Sequence, residues 1–238
     1  MAEGRKLFVF DFDYTLVNDN ADTWVGGTVG GGAVEKVKAE MSKWYHDWRD
    51  FVNKVLLQLH REGASRDDIV GHMRKLKIHR EAMKALQAVR AAPDADAIII
   101  SDANSVFINT ILQHCGVADV FSAVLTNPAS FNNEGLMTVA WHHTHTCQLC
   151  AATPNMCKGT ILREFLKNSA HLYTQVVYTG DGQNDLCALL QLRDTDVGVV
   201  RKGHGLEKAL AKGTHDVKAS VQIVDFLQDL CSVITSYC

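Results

Sequence analysis

Four segments of this chain are almost wholly apolar, each ends at a polar residue or glycine, and helical patterning separates them. Leu7-Phe8-Val9-Phe10 runs into Asp11-Phe12-Asp13, and Ala97-Ile98-Ile99-Ile100 runs into Ser101-Asp102. Val176-Val177-Tyr178-Thr179 runs into Gly180-Asp181, and Val197 to Val200 into Arg201, with a shorter run, Ala123-Val124-Leu125, before Thr126. A strand with no polar face has to be covered on both sides, which calls for a parallel sheet between two helical layers. The expected fold is therefore α/β with a doubly wound parallel sheet. Ligands of such sheets sit beyond the carboxyl ends of the strands, so Asp11, Asp13, Ser101, Asp102 and Asp181 are expected to meet there.

Between the first two strands the pattern changes. Five glycines fall in the seven positions 26 to 32 and predict a flexible loop. From Val37 through Met41, Trp44, Tyr45, Trp48, Phe51, Val52, Val55, Leu56 and Leu59 the apolar residues keep helical spacing until Gly63. Ser65 followed by Asp68 resembles a capping box and opens a second helix, and a third covers about His79 to Ala91. Residues 18–91 are thus expected to be a helical block inserted into a core made of 1–17 and 92–238. The stretch 131–155 has no period and is expected to be a long loop or small hairpin.

At 238 residues and 47% hydrophobic the chain can bury a sizeable core. A net charge of −3 with scattered basic residues gives no footprint for nucleic acid. No apolar run is long enough to span a bilayer, and residues 7–10 are too short for a signal-peptide core, so no membrane association and a cytoplasmic location are expected. Seven cysteines in a reducing compartment point to thiols or metal ligands rather than a disulfide framework.

Asp11 and Asp13 lie two residues apart at a strand end, so their side chains can converge while Phe12 turns inward. Two such charges raise each other's proton affinity unless a cation sits between them. A phosphate monoester in that crevice would need a divalent cation to offset its charge, and an all-oxygen donor set suits Mg2+. Asp11 and Asp181 are the expected carboxylate ligands. Lys158 opens a helix, so its ammonium and that helix's free N–H groups can face phosphate, and Ser101 can donate a hydroxyl hydrogen bond. Gly180-Asp181-Gly182-Gln183-Asn184-Asp185 reads as a metal loop, because its carboxylates would repel a bare pyrophosphate.

Asp11-Phe12-Asp13-Tyr14-Thr15, Ser101, Lys158 and Gly180 to Asp185, in that order, resemble the four motifs of the haloacid dehalogenase superfamily, whose core is Rossmann-like. More narrowly, Ser101-Asp102-Ala103-Asn104, Thr126-Asn127-Pro128, His143 to Cys147, Pro154 to Lys158 and Asp185-Leu186-Cys187 resemble its phosphoethanolamine/phosphocholine phosphatase family and the pyridoxal phosphate phosphatase relatives. The resemblance implies a phosphomonoesterase acting through an aspartyl-phosphate. Asp11 is then the nucleophile and Asp13 the acid and base. Ser101, Asp102 and Lys158 hold the phosphoryl group, and Asp11, the Asp13 carbonyl and Asp181 bind Mg2+, with Asp185 supporting the metal's water shell. The insertion becomes a small helical cap over the site. Asp22 and Asp102 match positions that face a substrate ammonium, which ranks phosphoethanolamine or phosphocholine first. Pyridoxal 5'-phosphate, pyrophosphate and a non-catalytic phospho-ligand binding role are the alternatives.

Cys147-Gln148-Leu149-Cys150 is a CxxC, and with His145 and Cys157 it could form a tetrahedral Zn2+ site that fixes this loop and positions Lys158. The alternative is a set of reduced, partly buried thiols.

Overall fold

The computed structural model describes residues 4–29, 31–40, 48–150 and 154–238. Strand β1 (Arg5–Phe10) leads into an insertion with helices α1 (Ala21–Trp24), α2 (Ala33–Glu40), α3 (Trp48–Arg61) and α4 (Arg66–Met73). The chain returns through α5 (Arg80–Ala91), β2 (Ala95–Asn104), α6 (Ser105–Cys115) and β3 (Phe121–Asn127) to a hairpin of β4 (Ala129–Phe131) and β5 (Met137–Val139). After this come α7 (Lys158–Asn168), β6 (Tyr173–Gly180), α8 (Leu186–Leu189), β7 (Val197–Arg201), α9 (Gly205–Leu210), β8 (Ser220–Val224) and α10 (Leu230–Thr235).

The six strands β3-β2-β1-β6-β7-β8 form one sheet, and every described pairing in it is parallel. Alternation along the strands divides the core. Phe8, Phe10, Ala97 and Ile99 face α5, α6 and α10 through Leu86, Phe107, Ile111 and Leu230. Leu7, Val9, Ile98 and Ile100 face α7, α8 and α9 through Ile161, Leu162, Leu189 and Leu206. Each fully buried Phe or Leu contributes about 1.5–3 kcal/mol relative to exposure, so a side chain on either face of β1 is costly to lose.

β8 is absent from the sequence expectation. Ser220-Val221-Gln222-Ile223-Val224 alternates rather than running apolar, as suits an edge strand with Ile223 44% exposed. Part of the glycine-rich segment is regular structure. Val25-Gly26-Gly27 is a 3-10 turn in which Gly27 lies against His72, and Gly31 and Gly32 adopt left-handed φ values of 80° and 93°. Met41, Trp44 and Tyr45 of the expected aromatic helix lie outside the described residues. The capping box forms as expected, Asp68 N–H donating to Ser65 Oγ and Ser65 N–H to Asp68 Oδ2.

The segments that lead into and out of the insertion meet where Val17 bridges Ile78. His79 pins this junction: Nε2–H donates to Thr15 O at 2.8 Å, and Nδ1 caps α5 by accepting Ala82 N–H at 3.2 Å. The expected block runs to residue 91, but α5 packs on α10 and β2 as part of the layered core. Among the described residues no helix is long and apolar enough to cross a membrane.

Candidate active site

The sheet reverses its winding between β1 and β6, so the crevice expected for a ligand opens there. Asp11 follows β1 directly. Its N–H donates to Thr179 O at 2.9 Å, and its Oδ1 accepts the N–H of Phe12 at 2.7 Å while the Phe12 ring is fully buried. Lys158 is the first residue of α7, behind the N-cap Cys157, and is itself 0% exposed. Its Nζ lies 2.8 Å from Asp11 Oδ2 and 2.7 Å from Asp185 Oδ1.

Asp185 is saturated. Oδ1 also accepts the Tyr178 hydroxyl at 2.7 Å, and Oδ2 accepts the N–H groups of Asp181 at 3.1 Å and Gly182 at 2.9 Å. That closure requires Gly180, because a Cβ there would stand 2.6 Å from the Asp185 carboxylate. The loop is thereby held so that Asp181, 7% exposed, faces the crevice. Its Oδ2 meets His204 Nδ1 at 2.9 Å.

Asp13 Oδ1 accepts Ala21 N–H at 3.0 Å, which ties the start of the insertion to the site. Ser101 ends the apolar part of β2, fully buried, with Ala103 N–H donating to its Oγ at 3.4 Å. Asp102 accepts Asn184 Nδ2 at 3.0 Å, so the end of β2 is tied to the loop after β6.

Burial and like charge dominate the electrostatics. Burial pushes Asp13 well above the usual carboxylate range, Asp22 adds to the rise, and the Ala21 N–H opposes it. Burial likewise raises Asp11, against the pull of the Lys158 ammonium. Burial disfavours the charge on Lys158, but Asp11 and Asp185 outweigh it and the net shift is upward, so the ammonium persists. Burial and then Asp185 push Asp181 up to about 6, with His204 opposing.

One lysine therefore faces Asp11, Asp181 and Asp185, an excess of negative charge that a divalent cation would relieve. Asp11, Asp181 and Asp185 each bring an oxygen within 4.8 Å of the others. Octahedral Mg2+ with bonds of about 2.1 Å places neighbouring oxygens about 3 Å apart and opposite ones about 4 Å apart, a scale that suits Asp11 and Asp181 as ligands, with the saturated Asp185 behind them. Its all-oxygen chemistry favours Mg2+ over softer metals.

Two residues are placed differently from the expectation. Asp22 is not an open carboxylate for a substrate ammonium: it is 1% exposed, accepts Trp48 Nε1 at 2.8 Å and lies 3.7 Å from the buried Arg49 guanidinium. His145 is not part of the thiol cluster, where Cys187 joins Cys147, Cys150 and Cys157 instead. His145 Nδ1 accepts the N–H of Cys147. The pairings of His204, Tyr178 and Cys187 escaped the sequence reading because they depend on how β6, α8 and α9 are brought together.

Residues 6–236 match the protein family described as "Putative Phosphatase". The chain belongs to this family. It is 36% identical to mouse pyridoxal phosphate phosphatase PHOSPHO2 over 242 residues, covering 95% of this chain and 98% of the relative, and 36% identical to the human PHOSPHO2 over 220 residues, covering 90% and 89%. A substrate-bound phosphoserine phosphatase has the same fold at 17% identity, with a TM-score of 0.65 and 99% of each chain covered. The chain is thus a phosphatase, a phosphoric monoester hydrolase, with the fold of the phosphoserine phosphatases.

Proposed function

We propose that this phosphatase is Mg2+-dependent and transfers the phosphoryl group of a small ester to Asp11 before releasing it to water. The observation that carries the reading is Lys158, buried and held between Asp11 and Asp185, with Asp181 beside them.

Asp11, Asp181 and the Asp13 carbonyl would hold the cation, and Asp185 would orient Lys158 and the Asp181 loop. When bound, Mg2+ offsets the charge of the phosphoryl oxygens and lets a carboxylate approach them. An Asp11 oxygen forms a bond to phosphorus as the bond to the ester oxygen breaks, and Asp13, kept protonated by its burial, gives its proton to the leaving alkoxide. The Asp13 carboxylate then takes a proton from water, and the resulting hydroxide attacks phosphorus. Inorganic phosphate leaves and Asp11 is restored. Ser101 and Lys158 hold the phosphoryl oxygens through both steps.

The leaving group we favour is an aromatic alcohol of the pyridoxal kind. A cleft of about 700 Å3 is bounded by Tyr14, Asn20, Trp24 and Trp48, and the Tyr14 ring lies 5.7 Å from His204. Such walls suit a flat ring. The PHOSPHO2 relatives are named for pyridoxal phosphate. The amino-alcohol phosphates rank second, because Asp22 is already committed to Arg49 and Trp48.

A phosphate-release panel of pyridoxal 5'-phosphate, phosphoethanolamine, phosphocholine and pyrophosphate, with Mg2+ or EDTA, tests this. The expected outcome is Mg2+-dependent turnover with the highest kcat/KM for pyridoxal 5'-phosphate. A higher value for phosphocholine would reverse the leaving-group assignment, and no turnover of any ester by folded protein would remove the mechanism.

A further inference from the structure

We propose that Cys147, Cys150, Cys157 and Cys187 form a structural zinc site that clamps α7 to α8. The four sulfurs come from three separate stretches of chain and lie within 4.8 Å of one another. Cys187 Sγ stands 3.3 Å from Cys147 Sγ and 3.0 Å from Cys150 Sγ. Four thiolates about 2.3 Å from a tetrahedral zinc have neighbouring sulfurs about 3.8 Å apart, so the two short contacts need open by less than about 1 Å to admit the ion. Sulfur-only donors select zinc over the hard cation suited to the carboxylates nearby.

The surrounding backbone is shaped for the sulfurs. Cys147 to Cys150 make a tight turn, with Cys150 N–H donating to Cys147 O at 3.2 Å and a 3-10 turn over Gln148–Cys150. Thr144 bridges Asn155, and the N–H groups of His145 and Met156 donate to Pro154 O and His143 O, so the two arms that carry the ligands are paired. Met156, just before Cys157, has a φ of 65°, a left-handed conformation that a non-glycine residue adopts only where its surroundings compel it. The Thr160 N–H then donates to Cys157 Sγ at 3.5 Å.

Apolar packing does not account for the position of the turn. Its residues Gln148–Cys150 bury no side chain completely, and Leu149 is 49% exposed. Gly159 lets α7 reach the fourth ligand, since a Cβ there would stand 2.5 Å from Cys187 O. The consequence lies one or two residues away: Lys158 follows Cys157, and Asp185 precedes Cys187 by two. A metal bridging Cys157 to Cys187 holds together the two helix starts whose side chains make the 2.7 Å Lys158–Asp185 pair.

The test is metal content by mass spectrometry on full-length protein from zinc-supplemented cells, after dialysis against EDTA. The wild type is expected to keep about one zinc per chain, Cys187→Ser and Cys147→Ser less than about a tenth, and Cys115→Ser about one. Cys147→His keeps four zinc-competent ligands and is expected to keep about one zinc, which separates loss of the site from loss of the fold. Cobalt-substituted wild type is expected to show the intense tetrahedral and sulfur-to-cobalt bands of a tetrathiolate. Folded wild-type protein with less than about a tenth of a zinc per chain, iron or copper in its place, zinc retained equally in Cys187→Ser, or a Cys150–Cys187 disulfide would each overturn the proposal.

Discussion

Two clusters share the starts of α7 and α8, one of buried oxygen donors and one of half-buried sulfur donors. Asp11, Asp181 and Asp185 crowd around Lys158 at the carboxyl ends of β1 and β6, and the four cysteines lie on the adjoining loop and helix starts. The carboxylates carry charge that must be balanced at each stage of a reaction. The thiols sit where nothing in the chemistry needs a nucleophile. The difference teaches that neighbouring clusters of potential ligands can have opposite purposes: one site is poised to exchange a substrate, and the other fixes the frame from which Lys158 and Asp185 act.

The sharpest separation comes from Asp11→Asn. It removes the nucleophile and leaves the sulfurs untouched, so turnover is expected to fall by on the order of 10^4 or more while zinc content stays constant. Steady-state rates beside metal analysis check this, and near wild-type turnover contradicts it. Lys158→Ala removes the one ammonium between Asp11 and Asp185. Left unpaired, those buried carboxylates are expected to destabilise the fold by about 3–5 kcal/mol, read by urea unfolding, besides abolishing activity.

Asp13→Asn is expected to lower kcat/KM, which reports phosphoryl transfer to Asp11, by about 10^2 to 10^4 for an alkyl phosphate and far less for an aryl phosphate, whose leaving group needs no proton, while kcat falls for both through the slowed hydrolysis of the intermediate. Equal losses of kcat/KM for the two esters would take the proton-donor role from Asp13. Because burial raises Asp13, its acid form persists to higher pH than that of an ordinary carboxylate and is lost as pH rises through its folded pKa, so the wild-type rate is expected to fall on the alkaline side.

Mg2+ affinity should also depend on pH. Asp181 without metal holds its proton up to about pH 6, so below that the cation must displace it. The Mg2+ dissociation constant is expected to rise about tenfold per pH unit as pH falls below 6, and titration calorimetry at several pH values measures it.

The smallest effect concerns the hinge of the insertion. Burial lowers the pKa of His79 from its ordinary 6.5, so the unfolded chain binds a proton there before the folded one does. The stability this residue supplies is therefore complete above pH 6.5 and fades as pH falls through the interval between the unfolded and folded pKa values. His79→Ala is expected to cost about 1 kcal/mol at pH 8, in the range of a lost helix cap, and less at pH 5. Thermal unfolding at the two pH values tests the sign.

The layered core was legible because β1, β2 and β6 are apolar without interruption, and that pattern has one structural solution. The ends of those strands placed Asp11, Ser101 and Asp181 for the same reason. β8 lacked the pattern because an edge strand needs only one buried face. The role of Asp22 could not be read from its neighbours in sequence, since the Arg49 that neutralises it lies 27 positions away on α3. Cys187 was hidden in the same way: CxxC is a local signal, but the fourth sulfur arrives from the helix after β6, and only the sheet order brings it beside Cys150.

The account rests on Asp11 as the atom that receives phosphorus, and a quenched-flow experiment with radiolabelled substrate tests this most directly. Asp13→Asn slows hydrolysis of the intermediate, so this variant turning over an aryl phosphate is expected to accumulate a hydroxylamine-sensitive phosphoryl group on the peptide that contains Asp11. Label on Ser101 or a cysteine, or no label during active turnover, contradicts it.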